Sequence, residues 1–537
     1  MTRRAREEKC RYVAAWQCRG KPGAGPAFRG TLLFAGMLLL ASRAPAQLAD
    51  PVAAYLDRGR QLTLVYCQSC HLYPDPDVLD KKTWANGTMR RMAPLFGTAR
   101  IDLDRRPDGM ILKEAHLFPP EPILPIADWK AMWDYILDAA PEQALPQGPR
   151  GPIQPDTPMF EVQVLSDPAV APAVTLVKIE SKRRRLLLGD GEKRAVHEFD
   201  GEGHRLSSTQ VASPPVSWAR DGDKAYVSLI GSIFPSDEKS GEIVVFRPGE
   251  KGWSVDPLIR GLKRPVDCVP VDLNRDGRPE LVVAQFGNYL GRLSWFDMQA
   301  GGEPVEHPLL ELPGGTCSQI IDYNHDGRPD VVTLMGQARE GIFLFENMGG
   351  GDFATVPLVQ LPPVYGSTYF EFADFNGDGF PDLLAVNGDN GEYPSPFKKY
   401  HGIRIYLNDG KFHFKEAWFF PMNGAFKAVA RDFDGDGDLD IAAISFFPDY
   451  GRSPEEGFVY LENRGNLQFT ASSIPAATSG RWLTMDAADL DGDGDIDLVL
   501  GSFIAGPRSI PIPAELEKAW AGNKVAALIL RNRRVRK

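Results

Sequence analysis

The chain has 537 residues, of which 43% are hydrophobic and 24% are charged, so it is long enough for two or more domains with a sizeable core. Its formal net charge is −11. Because the first 46 residues contain nine Lys or Arg and two Asp or Glu, the remainder carries −18. A remainder this acidic argues against nucleic acids and anionic membranes as partners.

Residues 1–46 have the features of a secretory signal. A basic segment reaching Arg29 precedes the apolar run 31–41, and Ala44, Pro45 and Ala46 form an A-x-A cleavage site. The apolar run is too short to span a bilayer comfortably, and no later segment is apolar enough to do so. We therefore expect a signal peptide over 1–46, a mature chain without a membrane span, and a periplasmic or secreted location.

Residues 47–145 form a first unit that contains a C-x-x-C-H motif. A helix predicted over 53–66 leads into Cys67, Cys70 and His71, and a second helix is predicted over 128–139. In this motif the two thiols form thioethers to the porphyrin and the histidine becomes the proximal iron ligand. A redox disulfide would not need His71, and a zinc site would need a second ligand pair that this unit lacks. The motif predicts one covalent haem c in a small all-α cytochrome c domain.

The sixth iron ligand has four candidates between the motif and the second helix. They are Met89, Met92, Met110 and His116. A thioether ligand raises the iron potential and suits electron transfer, although methionines also fill cores. We predict Met92 as the ligand, with Met110 as the second choice.

A linker rich in proline over 146–165 precedes a repeat array over 166–537. Five segments share the pattern D-x-[DN]-x-D-G-x-x-[DE], and their first aspartates are 50, 52, 58 and 57 residues apart. Each is followed by an apolar strand, and two degenerate repeats near 186–191 and 219–228 precede them. Repeats of this length, built from strands and turns, predict an all-β propeller of about seven blades.

The aspartate loops have the oxygen ligands that a hard cation prefers. Carboxylate or amide oxygens at positions 1, 3, 5 and 9, with a glycine for the turn, can surround Ca²⁺. An EF-hand would need Glu at position 12 and flanking helices, and both are missing. We predict up to five structural calcium ions. The ligands would be Asp272, Asn274, Asp276, Glu280, Asp322, Asn324, Asp326, Asp330, Asp374, Asn376, Asp378, Asp382, Asp432, Asp434, Asp436, Asp440, Asp489, Asp491, Asp493 and Asp497.

The loop pattern and its spacing resemble the FG-GAP/VCBS repeat family, known from the propellers of integrin α-subunits. The resemblance covers about 270–500 strongly and 170–270 weakly. It implies calcium loops at the outer edge of the blades but no single activity, because such propellers serve adhesion, lyase and scaffold roles. The first unit, with its C-x-x-C-H motif, Trp84, Met92 and 129–135, resembles the cytochrome c domain that bacterial VCBS-repeat proteins sometimes carry. That likeness also implies Met92 as the ligand, although the usual Met-Pro is here Met92-Ala93-Pro94.

The strand before each aspartate loop is expected to lie near the propeller axis. Polar and aromatic residues that could line the axis are Asp267, Ser318, Tyr369, Glu371, Lys427, Trp482 and Thr484. They would either bind a ligand or meet water. Cys268 and Cys317 lie on two of these strands, and either a disulfide or two buried thiols fits the sequence.

These features favour electron transfer. The chain is expected to be an exported c-type cytochrome with a calcium-binding propeller, acting as a haem protein or as the haem subunit of a periplasmic oxidoreductase with a redox partner protein. Two alternatives stay open: a propeller that binds a carbohydrate or a surface ligand, and a carbohydrate-active propeller enzyme with an accessory haem. The sequence contains no nucleotide fingerprint, nucleophile–base signature or second haem motif, so the donor, acceptor and substrate stay open.

Overall fold

The computed structural model describes residues 50–249, 252–299, 302–391 and 396–533. The signal predicted over 1–46 lies outside the described residues, together with Cys10 and Cys18. The described chain folds into a small helical region followed by an all-β ring. None of the described helices is both long enough and apolar enough to cross a membrane.

The helical region contains both of the predicted helices. Its longer helices are α1 (Pro51–Cys67), α2 (Met89–Leu95), α3 (Gly109–Glu114) and α4 (Ile126–Ala139). Shorter helical turns cover Pro76–Val78, Lys81–Thr83, Trp84–Thr88 and Leu103–Arg105. Asp50 caps α1, because its carboxylate accepts the Val52 N–H at 3.0 Å. The helices α1 and α4 confirm the predictions over 53–66 and 128–139.

Helices α1 and α4 cross at Gly59. A Cβ added there would lie 2.2 Å from the carbonyl oxygen of Ala131, so a larger residue would force the helices apart. The crossing covers a core formed by Leu79, Trp84, Met89, Ala93, Leu124, Trp129, Met132, Ile136 and Ala140. Helix α1 therefore ends, at Cys67, beside this core.

The ring is a propeller of seven four-stranded antiparallel sheets within the described residues, which confirms the predicted blade count. The first blade has β2 (Val174–Glu180), β3 (Arg185–Asp190), β4 (Ala195–Asp200) and β5 (Arg205–Gln210), and the second has β6 (Pro215–Asp221), β7 (Lys224–Leu229), β8 (Gly241–Gly249) and β9 (Gly252–Leu262). The third has β10 (Pro265–Val271), β11 (Glu280–Gln285), β12 (Arg292–Asp297) and β13 (Val305–Leu310), and the fourth has β14 (Gly315–Ile321), β15 (Asp330–Met335), β16 (Gly341–Gly349) and β17 (Asp352–Gln360). The fifth has β18 (Ser367–Ala373), β19 (Asp382–Asn387), β20 (Gly402–Asn408) and β21 (Phe414–Pro421), and the sixth has β22 (Ala425–Arg431), β23 (Asp440–Ser445), β24 (Phe458–Asn463) and β25 (Phe469–Ser472).

The seventh blade joins the two ends of the ring. It consists of β26 (Trp482–Ala488), β27 (Asp497–Ser502), β28 (Ala527–Asn532) and the earlier strand β1 (Phe160–Leu165), and helix α5 (Ala514–Asn523) precedes β28. Strand β1 pairs antiparallel with β28 along its whole length. The propeller therefore begins at residue 160, inside the stretch 146–165 that the sequence assigns to the linker.

Strand order within each blade places the aspartate loops. First strands of neighbouring blades contact one another, so they surround the axis. Each aspartate loop joins a first strand to a second strand, which corrects the expectation that these loops lie at the outer edge of the blades. The second strands β11, β15, β19, β23 and β27 are buried over their whole length, which explains their continuous apolar sequence.

The helical region sits on the propeller face opposite the aspartate loops. Connections between antiparallel strands alternate between the two ends of a sheet, and the following contacts of the helical region lie at the ends that lack these loops. Asp108 accepts the Asp237 N–H at 3.0 Å, and the Phe118 ring lies 5.4 Å from the Tyr289 ring. Lys399 also pairs with Asp77. Contacts to several blades hold the two units in one arrangement.

The predicted linker is bound to the propeller instead of hanging free. The Gln147 side chain donates to the carbonyl oxygen of His401 at 2.9 Å. Arg150 pairs with Glu456, whose side chain is fully buried. Gln154 forms a bridge to Ser472 at the edge of the sixth blade. These contacts fasten the helical region to the ring through the chain itself.

Candidate functional site

The C-x-x-C-H motif lies in a tight turn at the C-terminal end of α1. The N–H groups of Cys70 and His71 both point to the carbonyl oxygen of Cys67, at 3.4 Å. Cys67 is half-buried against the helical core, Cys70 is exposed, and both are free thiols. The structure thus brings the two predicted thiols and the predicted histidine together within one turn.

The electrostatics of the turn favour neutral groups. Burial, with a smaller effect from Cys70, raises the pKa of Cys67 to about 12, and the C-terminal end of a helix also disfavours a thiolate. Burial lowers the pKa of His71. Its Nδ1 lies 2.8 Å from the Leu72 carbonyl oxygen. Because a carbonyl only accepts, Nδ1 carries the proton and Nε2 keeps a lone pair for a metal.

The four candidates for the sixth ligand occupy different environments. Met92 is half-buried and packs against the helical core, whereas Met110 is 67% exposed on α3. Met89 is part of the core at 3% exposure, and His116 is exposed with a φ of 49°. Burial beside the aromatic core therefore distinguishes Met92 from Met110.

The C-x-x-C-H motif also lies close to the propeller, which the sequence of residues 47–145 could not predict. A cleft of about 170 Å³ separates the motif from the fourth propeller blade. It is lined by Gln68, Cys70, His71 and Leu72 on one side and by Arg339, Glu340, Gln360 and Leu361 on the other. The motif therefore faces the propeller as well as the helical core.

The aspartate loops share one hydrogen-bond pattern. The aspartate at position 1 accepts N–H groups of its own loop. For Asp432, these are Gly435 N at 2.6 Å and Gly437 N at 3.2 Å. Asp489 makes the same pair of bonds with Gly492 and Gly494. The loop backbone is therefore curled around its first carboxylate.

The acid at position 9 begins the second strand and is buried. In the sixth blade, Asp440 accepts the N–H groups of Phe433, at 3.3 Å, and Asn463, at 2.8 Å, and the Tyr460 hydroxyl donates to it at 2.7 Å. Its counterparts also accept the N–H of the second loop residue: Glu280, Asp330, Asp382 and Asp497. Burial raises the pKa of Asp440 to about 6. This acid fastens the loop to its blade.

A comparison with protein families identifies these repeats. A family model described as an FG-GAP-like repeat matches residues 272–333, 322–385, 396–443 and 445–500. Every matched segment ends in the second strand of a blade, just after an aspartate loop. The propeller carries FG-GAP-like repeats. No curated protein matches the chain.

Two of the solved structures that match the chain do so at low identity and low TM-score. BBS1N, solved in complex with ARL6DN, is 9% identical with a TM-score of 0.42, and the match covers 68% of this chain and 94% of that one. The Swd1 β-propeller domain from Myceliophteria thermophila is 11% identical with a TM-score of 0.42, over 69% of this chain and 99% of that one.

The five acidic loops of the FG-GAP-like repeats differ in their charge. In two of them the carboxylate oxygens of positions 1, 3 and 5 lie within 4.8 Å of one another; these groups are Asp432, Asp434 and Asp436, and Asp489, Asp491 and Asp493. Burial and then the repulsion from Asp436 and Asp432 raise the pKa of Asp434. Arg531 lies 3.5 Å from Asp491 and neutralises part of the charge of the second group. The group of Asp432, Asp434 and Asp436 therefore keeps more of its negative charge.

The other three loops carry fewer carboxylates. Position 3 is an amide in each of them: Asn274, Asn324 and Asn376. In two loops an arginine at position 7 also neutralises position 5, as Arg278 does to Asp276 at 2.7 Å and Arg328 does to Asp326. Asp272, Asp322, Asp374 and Asp378 complete these loops at positions 1 and 5. These three loops therefore have less uncompensated negative charge.

Charged side chains line the propeller axis, as the sequence predicts. Asp267 accepts the Ser318 N–H at 2.8 Å, and burial raises its pKa to about 6. The Lys427 ammonium lies 4.9 Å from the centre of the Tyr369 ring. Glu371 accepts the N–H of Ala430 from the next blade. The FG-GAP-like repeats thus surround an axis that is lined with charged side chains.

Two axial residues were missed and one was wrongly included. Asp486 accepts the Ile179 N–H at 2.8 Å and pairs with Lys178 at 3.1 Å. Trp482 is fully buried in the core and donates to the Ala477 carbonyl. The first strand has a bulge between residues 482 and 484, and a bulge shifts the alternation of faces.

The two cysteines of the propeller differ by one position in register. Strands β10 and β14 both have a bulge, directly before Asp267 and directly before Cys317, so Cys317 occupies the position of Asp267 and Cys268 lies one position further along. Cys317 accordingly lies near Asp267 and Lys427. Cys268 is buried in the core between the second and third blades. Both are free thiols, Cys268 buried and Cys317 half-buried, so the structure contains no Cys268–Cys317 disulfide. Burial raises the pKa of Cys317 to about 12.

Proposed function

We propose that this protein is an exported c-type cytochrome with a calcium-binding propeller, which acts in periplasmic electron transfer as a haem protein or as the haem subunit of an oxidoreductase. The observation that carries the proposal is the turn of Cys67, Cys70 and His71. It combines two free thiols with a neutral imidazole whose Nε2 keeps its lone pair. A haem bound there would supply one-electron chemistry.

The chemistry of the turn fits a haem better than a redox dithiol or zinc. Reactive C-x-x-C pairs have a thiol with a lowered pKa, usually at a helix N-terminus. Cys67 lies at a helix C-terminus, and burial raises its pKa. Zinc needs about four ligands, and the groups of metal-binding side chains among the described residues contain no thiol. Thioether formation needs the two thiols, and the histidine would hold the iron.

Met92 is the residue that would hold the iron together with His71. Its thioether is half-buried beside the aromatic core of the helical region, where a methionine ligand is shielded from water. Replacing Met92 with Ala should change the visible spectrum of the ferric protein and lower its reduction potential. Replacing Met110, which is 67% exposed, should change neither. If M110A has the larger effect, the assignment is wrong.

The haem proposal is tested by covalent attachment. The full chain is expressed with a c-type haem attachment system, and haem is detected on the denatured polypeptide. We expect one haem per chain, and its loss when Cys67 and Cys70 are both replaced by Ala. Cys268→Ala is the matched control because it removes a buried thiol from the propeller. A wild-type chain without covalent haem would contradict the proposal.

The calcium proposal is strongest for the loop of the sixth blade. None of its three clustered carboxylates takes part in an ion pair within the described residues, so their mutual repulsion has no other counter-charge. We propose that a Ca²⁺ ion held by Asp432, Asp434 and Asp436 offsets this repulsion, with a second ion at Asp489, Asp491 and Asp493. The three loops with an asparagine would bind more weakly.

Calcium removal tests the structural role of the ion, and variants in single loops test which loops bind it. A chelator should lower the thermal unfolding midpoint, and Asp434→Asn should weaken calcium binding in a calorimetric titration by about tenfold, since an ionic ligand is lost. Asp276→Asn is the control, because Arg278 already neutralises Asp276. A thermal unfolding midpoint that changes neither with added calcium nor with chelator would refute a structural role for the ion.

A further inference from the structure

A cleft of about 360 Å³ lies between the outer strands of the second and third blades, apart from the motif and the aspartate loops. The end of β9 forms one wall, and β11, β12 and β13 form the other. This volume is in the range of small-molecule sites. The aromatic side chain in its lining is Phe296.

Positive charge is concentrated in this cleft. Four cations line it, Lys239, Arg260, Lys263 and Arg292, against two acids, Glu303 and Glu306. This excess occurs in a chain with a formal net charge of −11. Burial, Arg292 and Lys239 together lower the pKa of Lys263.

Two of the cations have no ionic partner. Arg292 lies 3.3 Å from Glu306, and Arg260 lies 3.8 Å from Glu242. The ammonium groups of Lys239 and Lys263 form no ion pair and no hydrogen bond within the described residues. Lys263 is half-buried and Lys239 is exposed, so the Lys263 ammonium gains most from an anion that replaces its lost hydration.

The wall that carries Lys263 is held in place by hydrogen bonds. The Lys263 N–H donates to Gln285 Oε1 at 3.1 Å, and its carbonyl accepts from Gly287 N at 3.1 Å. Gln285 in turn donates to Glu306 at 2.9 Å. The cleft is therefore preformed, which reduces the ordering cost of binding.

We propose that this cleft binds a small anion that carries at least two negative charges on carboxylate or phosphate oxygens. Lys239 and Lys263 provide the charge contacts, and Phe296 provides an apolar surface. The cleft is too small for a folded partner. A negatively charged polymer would be repelled by the acidic remainder of the chain. The site is independent of haem and of calcium.

Calorimetric titration of the full chain tests the proposal, with succinate as a dicarboxylate probe and glucose 6-phosphate as a phosphate probe. Saturable binding of at least one probe is expected, and the tighter probe identifies the preferred oxyanion. The double variant K239Q/K263Q should bind at least tenfold more weakly. The exposed Lys411→Gln is the matched control and should bind like the wild type. No saturable binding, or equal affinity in the double variant, would overturn the proposal.

A chemical readout locates the bound anion. Partial acetylation followed by mass spectrometry measures the reaction rate of each lysine, and a saturating probe should slow the reaction of Lys263 at least fivefold without slowing Lys411. Equal rates with and without the probe would place the anion elsewhere and refute the site.

Discussion

Replacing Asp267 with Asn tests the electrostatics of the propeller axis. Burial disfavours the charged carboxylate, and the Ser318 N–H and Lys427 offset this only in part, so the pKa of Asp267 rises from 3.8 to about 6. An acid with a raised pKa in the folded state contributes stability below its unfolded pKa, and this contribution is lost as the pH rises through the folded pKa. The loss therefore occurs between about pH 4 and pH 6.

The size of the effect follows from the shift. Two pKa units correspond to about 3 kcal/mol at 1.36 kcal/mol per unit. The Asp267 side chain is half-buried, and screening by solvent reduces this to roughly 1–3 kcal/mol. Asn is similar in shape to the protonated acid and can still accept the Ser318 N–H. D267N should therefore match the wild type near pH 4 and be more stable by roughly 1–3 kcal/mol at pH 7.5.

Urea unfolding followed by circular dichroism at several pH values measures this difference. Asp486 supplies the matched control, because its pKa is shifted the other way. Burial opposes its ionisation, but Lys178 and Lys427 outweigh burial and lower its pKa. Its contribution is present above the unfolded pKa and lost at lower pH, so D486N should destabilise the protein at pH 7.5. If D267N is neutral or destabilising at every pH, burial does not penalise Asp267 and the reasoning is wrong.

Two further variants test the packing inside the helical region and its attachment to the propeller. Gly59→Ala should destabilise the helical region by about 1–3 kcal/mol, because its Cβ would meet the Ala131 carbonyl at 2.2 Å. Gly87→Ala, where the nearest atom is 3.9 Å away, should not destabilise it, and equal unfolding midpoints would contradict the tight crossing. Arg150→Met should cost up to about 3–5 kcal/mol, since it leaves Glu456 buried without its cation. Adding Glu456→Gln should restore most of the loss in thermal unfolding, and a single variant as stable as the wild type would refute the role of this pair.

Blade number could be predicted because it depends on local repetition. Five loops with one acidic pattern fix a period, and each period contains enough strand-forming sequence for one blade. The first two blades lack the acidic pattern, since β6 and β7 are joined through Gly222 and Asp223 alone. Spacing still revealed them. The helices α1 and α4 were predictable for the same reason, from their periodic apolar residues.

Features that depend on distant segments were not predictable. The bulge that turns Trp482 into the core follows from pairing with β27, and the sequence of β26 shows no sign of it. The docking of Asp108 on Asp237 and the cleft beside Lys263 each join segments far apart in the chain. The C-x-x-C-H motif was recognisable because its chemistry lies within five residues. The position of the motif beside the fourth blade could not be recognised from those five residues.

The closure of the ring by β1 and β28 sets an order for folding. These strands join Phe160 with Asn532 and Leu165 with Ala527, so the last blade forms only after Asn532 has been synthesised. The helical region, complete by residue 140, precedes that event. A chain truncated before Ala527 would leave β1 and β27 with free edges, which promote aggregation. A circular permutant with new ends between two blades would instead close its seventh blade from consecutive strands.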